Sequence, residues 1–124
     1  MTIGEVSRKY GLSVDTLRYY EKVGLIGPIS KNRSGIRDYE QANIRQIEFV
    51  KCMRSANLPI EALTRYMQLY EEGDSTLEER RKILVEQKEN VIKKMEELEK
   101  AKEKLIYKID LYDRQLLEKK LKGE

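Results

Sequence analysis

Apolar residues recur with helical spacing along most of this chain, and the breaks between runs fall on glycine, proline and asparagine. Ile3, Val6 and Tyr10 form a first short stripe. Thr2-Ile3-Gly4-Glu5 opens it with capping-box spacing, and Gly11 stops it. A second helix is predicted between Ser13, which can cap a first turn, and Gly24, which allows a left-handed stop before Leu25 returns to the core. Gly27-Pro28 then breaks the backbone, and 29–39 reads as an extended two-stranded hairpin turning at 32–35. Ile44, Ile47, Val50 and Met53 predict a helix over 41–56, ended at Asn57. Leu58-Pro59 starts another, with Leu63, Tyr66, Met67 and Tyr70 along its inner side and Gly73-Asp74 at its end.

From Ser75 the pattern becomes one long run. Ser75 to Glu78 and Thr76 to Glu79 both have capping-box spacing. Leu77, Leu84, Val91, Leu98, Leu105 and Tyr112 follow at intervals of seven. Met95, Ile109 and Leu116 add a second seam position in three heptads, while Arg81, Lys88 and Lys102 make it polar elsewhere. No glycine or proline interrupts this run before Gly123. A helix of roughly 40 residues, about 60 Å long at 1.5 Å per residue, cannot cover such a stripe against so small an N-terminal core. It needs a partner helix.

The stretch 13–25 carries the most information. Asp15, Arg18, Tyr19 and Lys22 stand at i, i+3, i+4 and i+7 and share one face, with Leu17 well round the helix from them. Taken alone, that face is a solvated surface with an Asp15–Arg18 pair. Two short helices joined at Gly11-Leu12 make a helix-turn-helix, however, and the second helix of that motif is the one that enters a major groove. Lys31, Arg33 and Arg37 lie near the hairpin turn, where a loop can follow a DNA backbone. The competing reading is an ordinary solvated hairpin.

Charge sharpens the picture. The net charge is +3, but residues 1–57 carry ten Lys or Arg against six Asp or Glu, whereas residues 58–75 carry one against four. The positive surplus therefore sits mainly with the helix-turn-helix, as phosphate binding requires. Charged residues make up 38% of the 124, too many for one large globular core, so a small domain plus an extended element is predicted. With no histidine, Ser-His and Cys-His catalysis and the usual zinc sites are excluded, and a single cysteine cannot form an internal disulfide. No apolar run resembles a signal peptide or nears the roughly 20 residues needed to span a bilayer. A cytoplasmic protein without membrane association is expected.

Ile3-Gly4-Glu5-Val6, Thr16-Leu17-Arg18-Tyr19-Tyr20-Glu21, Gly24-Leu25-Ile26 and Arg37-Asp38-Tyr39 stand in an order and spacing that resembles the MerR-type transcription regulators. Over the C-terminal half the resemblance is one of style only. It implies a mainly α fold: a winged helix-turn-helix with two supporting helices over 1–75, a dimerisation helix in an antiparallel coiled coil over 76–118, and a tail over 119–124. It also implies a homodimer on a pseudo-palindromic promoter site, bending and untwisting duplex DNA beside RNA polymerase. No cofactor is expected. The family pattern falls on Thr16, Arg18 and Tyr19 of the recognition helix, on Arg33, Arg37 and Tyr39 of the wing, and on Arg54 of the next helix as a backbone contact.

Drug-binding members of that family carry a further C-terminal domain, and metal-sensing members carry several cysteines; neither is expected here. Cys52, with Lys51 and Arg54 close in sequence, is then either a small packed hydrophobe or an electrophile-reactive thiol. Its Lys-Cys-Met-Arg setting resembles the aldehyde-responsive subgroup. A coiled-coil adaptor is the alternative function, but it leaves the Arg18 face and the basic wing unused. An enzyme would have to work with Asp, Glu, Lys, Arg and Tyr alone.

Overall fold

The structure, a computed structural model, describes residues 1–123; Glu124, the last residue of the expected tail, lies outside the described residues. Helix α1 spans Ile3–Tyr10 and α2 spans Val14–Lys22. The two-residue strands β1 (Ser30–Lys31) and β2 (Arg37–Asp38) follow, then α3 (Gln41–Ser55), α4 (Ile60–Glu72), a 3-10 turn at Asp74–Thr76, and α5 (Leu77–Leu121). The fold is mainly α, as the periodicity predicts. Two compact units are present, Met1–Val85 and the stretch from Glu86 onward.

In the first unit the predicted boundaries are met by the predicted chemistry. Thr2 and Glu5 make both arms of the capping box, Glu5 N to Thr2 Oγ1 at 3.2 Å and Thr2 N to Glu5 Oε1 at 2.9 Å. Those bonds hold the Glu5 carboxyl below its usual pKa, the Thr2 backbone bond contributing most. Gly11 ends α1 at φ 67°, and Asn57 takes the left-handed conformation at φ 64° after α3. Val6, Leu17, Leu25, Ile47, Val50 and Leu69 are fully buried and form the centre of the core.

Three details depart from the pattern. On α4, Tyr70 is 59% exposed, whereas Leu69 is buried. Thr76 does not cap α5 as its spacing to Glu79 suggests. Its hydroxyl is turned inward, donating to Leu69 O (2.6 Å) or Gly73 O (2.8 Å) and accepting from Arg80 Nε (3.1 Å). At its far end α5 runs to Leu121, three residues beyond 118, with Lys119 and Lys120 favourably placed in its last turn.

No residue of α5 is buried. Leu98, Leu105, Ile109, Tyr112 and Leu116 are all well exposed along it. The heptad stripe is thus an uncovered apolar seam in a single chain. Among the described residues, no helix is long and apolar enough to cross a membrane.

Candidate nucleic-acid interface

Helix α2 is oriented by its ends and its inner face. Ser13 Oγ accepts from Thr16 N at 3.0 Å and donates to the Thr16 hydroxyl at 2.8 Å, so Thr16 is part of the cap as well as of the first turn. At the other end Leu25 N and Ile26 N both turn back to Tyr20 O, which Gly24 permits at φ 83°. Leu17 and Tyr20 face the core, while Asp15, Arg18, Tyr19 and Lys22 are exposed together. The predicted outer face is therefore the observed one. Burial of the opposite side fixes which way it points.

The wing is a short antiparallel ribbon, with Ser30 opposite Asp38 and Lys31 opposite Arg37. Its turn is closed by Asn32, whose Oδ1 accepts from Ser34 N (2.9 Å) and Ile36 N (3.1 Å), with Gly35 at φ 78°. Lys31 and Arg33 are exposed beside that turn. Arg37 pairs with Glu21 of α2 at 3.1 Å.

Two of the sequence-predicted contact residues are engaged within the chain itself. Tyr39 points inward: it is 2% exposed, and its hydroxyl is buried without a hydrogen-bond partner among the described residues. The side chain expected to meet DNA from the wing is thus turned away from solvent in the single chain. Burial is the main reason its pKa lies above the ordinary value, Glu21 adding to the rise while Arg37 and Arg18 oppose it. Arg54 is partly exposed, and its Nη1 donates to Leu58 O at 2.7 Å, holding the turn between α3 and α4. Cys52 is exposed on α3 in the single chain.

Two side chains missed in the sequence shape this surface. Gln46 accepts from Gly27 N (2.9 Å) and donates to Gly27 O (3.3 Å), and the buried Asn43 donates to Pro28 O (3.2 Å). Together they hold the segment entering the wing. Two amides on one side of a helix, three residues apart, are the only local sign of such a role.

The sequence profile described as "MerR HTH family regulatory protein" matches residues 1–70, and that described as "MerR, DNA binding" matches residues 44–107. The chain belongs to the MerR family. It is similar to the HTH-type transcriptional regulator AdhR of Bacillus subtilis (strain 168), at 51% identity over 92 residues. That match takes in 74% of this chain and 66% of AdhR, just under two thirds of the relative's length. Among solved structures, a Listeria monocytogenes chain assigned to the MerR regulators aligns at a TM-score of 0.88 and 43% identity, over 94% of this chain and 89% of its own. HiNmlR, a MerR family regulator lacking the sensor domain and bound to promoter DNA, aligns at a TM-score of 0.82 and 26% identity, over 91% and 90% of the two chains. MerR membership thus agrees with a helix-turn-helix, a wing and a long C-terminal helix in one chain.

Proposed function

We propose that this MerR-family regulator binds promoter DNA as a homodimer, placing α2 in the major groove and the wing along the backbone. The observation that carries the reading is the sidedness of α2, with Leu17 and Tyr20 buried and Asp15, Arg18, Tyr19 and Lys22 exposed. The promoter-bound state of HiNmlR supports it. Arg18 reads a base edge or grips a phosphate bidentately, and the Tyr19 hydroxyl bonds a phosphate. Thr16, Arg33, Arg37 and the partly exposed Arg54 contact the backbone. In this reading 1–75 is the DNA-binding part and 76–118 the dimerisation helix, in an antiparallel coiled coil.

The dimer distorts a pseudo-palindromic site so that RNA polymerase can use it, a binding function in the cytoplasm with no catalysis. Bending a site costs several kcal/mol by elastic estimates, so a modest bias in the protein is enough to shift transcription. Cys52 is the proposed entry point for that bias. Its exposure suits reaction with an aldehyde or related electrophile.

Footprinting of the full chain over the DNA upstream of its own gene tests the main reading. A protected pseudo-palindrome whose affinity falls steeply with salt is the expected result. No protection, and no binding to bulk duplex at low salt, favours the coiled-coil adaptor instead.

A further inference from the structure

The wing is too small to hold itself in place, since ribbons of two residues per strand have no independent stability in water. Gln46 and Asn43 of α3 tie down its entry. A separate tie comes from the recognition helix itself. Both carboxylate oxygens of Glu21, on the last turn of α2, accept from Arg37 Nε, at 3.3 and 3.1 Å. The Glu21 stem is also seated, its Cγ lying 3.6 Å from where a Cβ on Gly27 would stand. Glu21 therefore has its stem against the chain entering the wing and its head on the strand that returns.

This arrangement bears on how Arg37 meets DNA. Its Nε is occupied, while its two terminal nitrogens make no hydrogen bond to the described residues. A guanidinium held through Nε has its plane set and keeps the Nη hydrogens for a second anion, in the fork geometry that suits phosphate oxygens. We infer that Glu21 is a positioning residue for DNA recognition, one that holds Arg37 by Nε so that its Nη edge grips a backbone phosphate, and that locks the wing to the recognition helix. The inference rests on the DNA-binding reading above. If Glu21 acted as a competitor for Arg37, phosphate would have to displace it, and removing it would tighten binding.

The two roles separate in a titration of the full chain against a labelled duplex carrying the footprinted upstream site, across a salt series. Glu21→Ala is expected to weaken binding about tenfold and to lower the salt slope, because the Arg37 phosphate contact is lost. Glu21→Gln is expected to lose less, since its amide oxygen still accepts from Nε. Neither change should weaken binding further in an Arg37→Ala background. Tighter binding by either Glu21 variant overturns the inference, as does unchanged binding or a loss that persists undiminished with Arg37→Ala. If Glu21→Ala fails to fold, judged by helix content and melting, Glu21→Gln against wild type and against the Arg37→Ala background decides alone. A wild-type chain that binds neither the upstream duplex nor bulk duplex overturns the DNA-binding reading itself, a result distinct from wild-type binding with silent Glu21 variants.

Discussion

Arg18 stands on the exposed side of α2, and its removal leaves the core residues Leu17 and Tyr20 untouched. Arg18→Ala should therefore cost about 1–3 kcal/mol of operator affinity per half-site while leaving the dimer intact, measured by titration alongside sedimentation. Unchanged affinity would remove Arg18 from the readout. Tyr39 gives the opposite case. Its hydroxyl is buried and has no partner among the described residues, so Tyr39→Phe should leave stability unchanged or raise it by about 1 kcal/mol, with operator affinity preserved. The sign with pH follows from its raised pKa: the neutral form is favoured in the folded state, so the stability is present below the ordinary value of 10.0 and lost as pH rises through the higher folded value. Tyr39→Phe should remove that alkaline loss in denaturant titrations. At Cys52, replacement by serine should preserve operator binding and abolish the response of a promoter reporter to aldehyde, with an adduct on Cys52 in the wild-type mass spectrum. A full response from Cys52→Ser reduces the cysteine to a bystander. The exposed side of Arg18 was legible in the sequence, because a 3.6-residue period assigns faces within a helix. Tyr39 lies in an extended segment next to a turn, where local pattern does not say which side meets the core.

Helix ends were the most readable elements, since caps and stops are local chemistry: the Thr2–Glu5 box, the Ser13 cap and the left-handed Gly11 and Asn57 all depend on residues within a few positions. Gly11→Ala tests that account. A Cβ there meets nothing within 4 Å, so only the backbone at φ 67° is strained. The cost should be about 1–2 kcal/mol, seen as a lower denaturant midpoint at unchanged slope. A larger loss would mean that the turn between α1 and α2 has a packing role hidden from the geometry. The ties that orient the wing were not readable. Glu21 and Arg37 are sixteen residues apart, and Gln46 and Gly27 nineteen, so neither pairing leaves a periodic trace. Along α4 only Tyr70 departs from the predicted stripe: it is exposed, while Leu69 next to it is buried and its backbone oxygen accepts from the Thr76 hydroxyl, seven residues on and past the helix end.

For the whole molecule, the long helix α5 is the part whose sequence pattern and single-chain structure disagree in an informative way. A heptad of leucines is ordinarily a buried seam, yet Leu98 is 69% exposed, Leu105 63% and Leu116 64%. Fully burying one such side chain contributes about 1.5–3 kcal/mol, so a seam of this length provides ample driving force for association even after the entropy of pairing is subtracted. Partner identity is legible only in part, because a heptad pattern calls for another helix without naming it. A second copy is the partner that satisfies the same stripe on both sides. Leu98→Asp places a charge in the middle of the seam, where a paired helix would have to desolvate it at a cost of several kcal/mol. Sedimentation of Leu98→Asp should show monomer where the wild type shows dimer, and operator affinity should fall with it because two half-sites are no longer engaged together. Circular dichroism checks that the N-terminal helices survive. A Leu98→Asp chain that remains dimeric would move the association surface away from the heptad stripe.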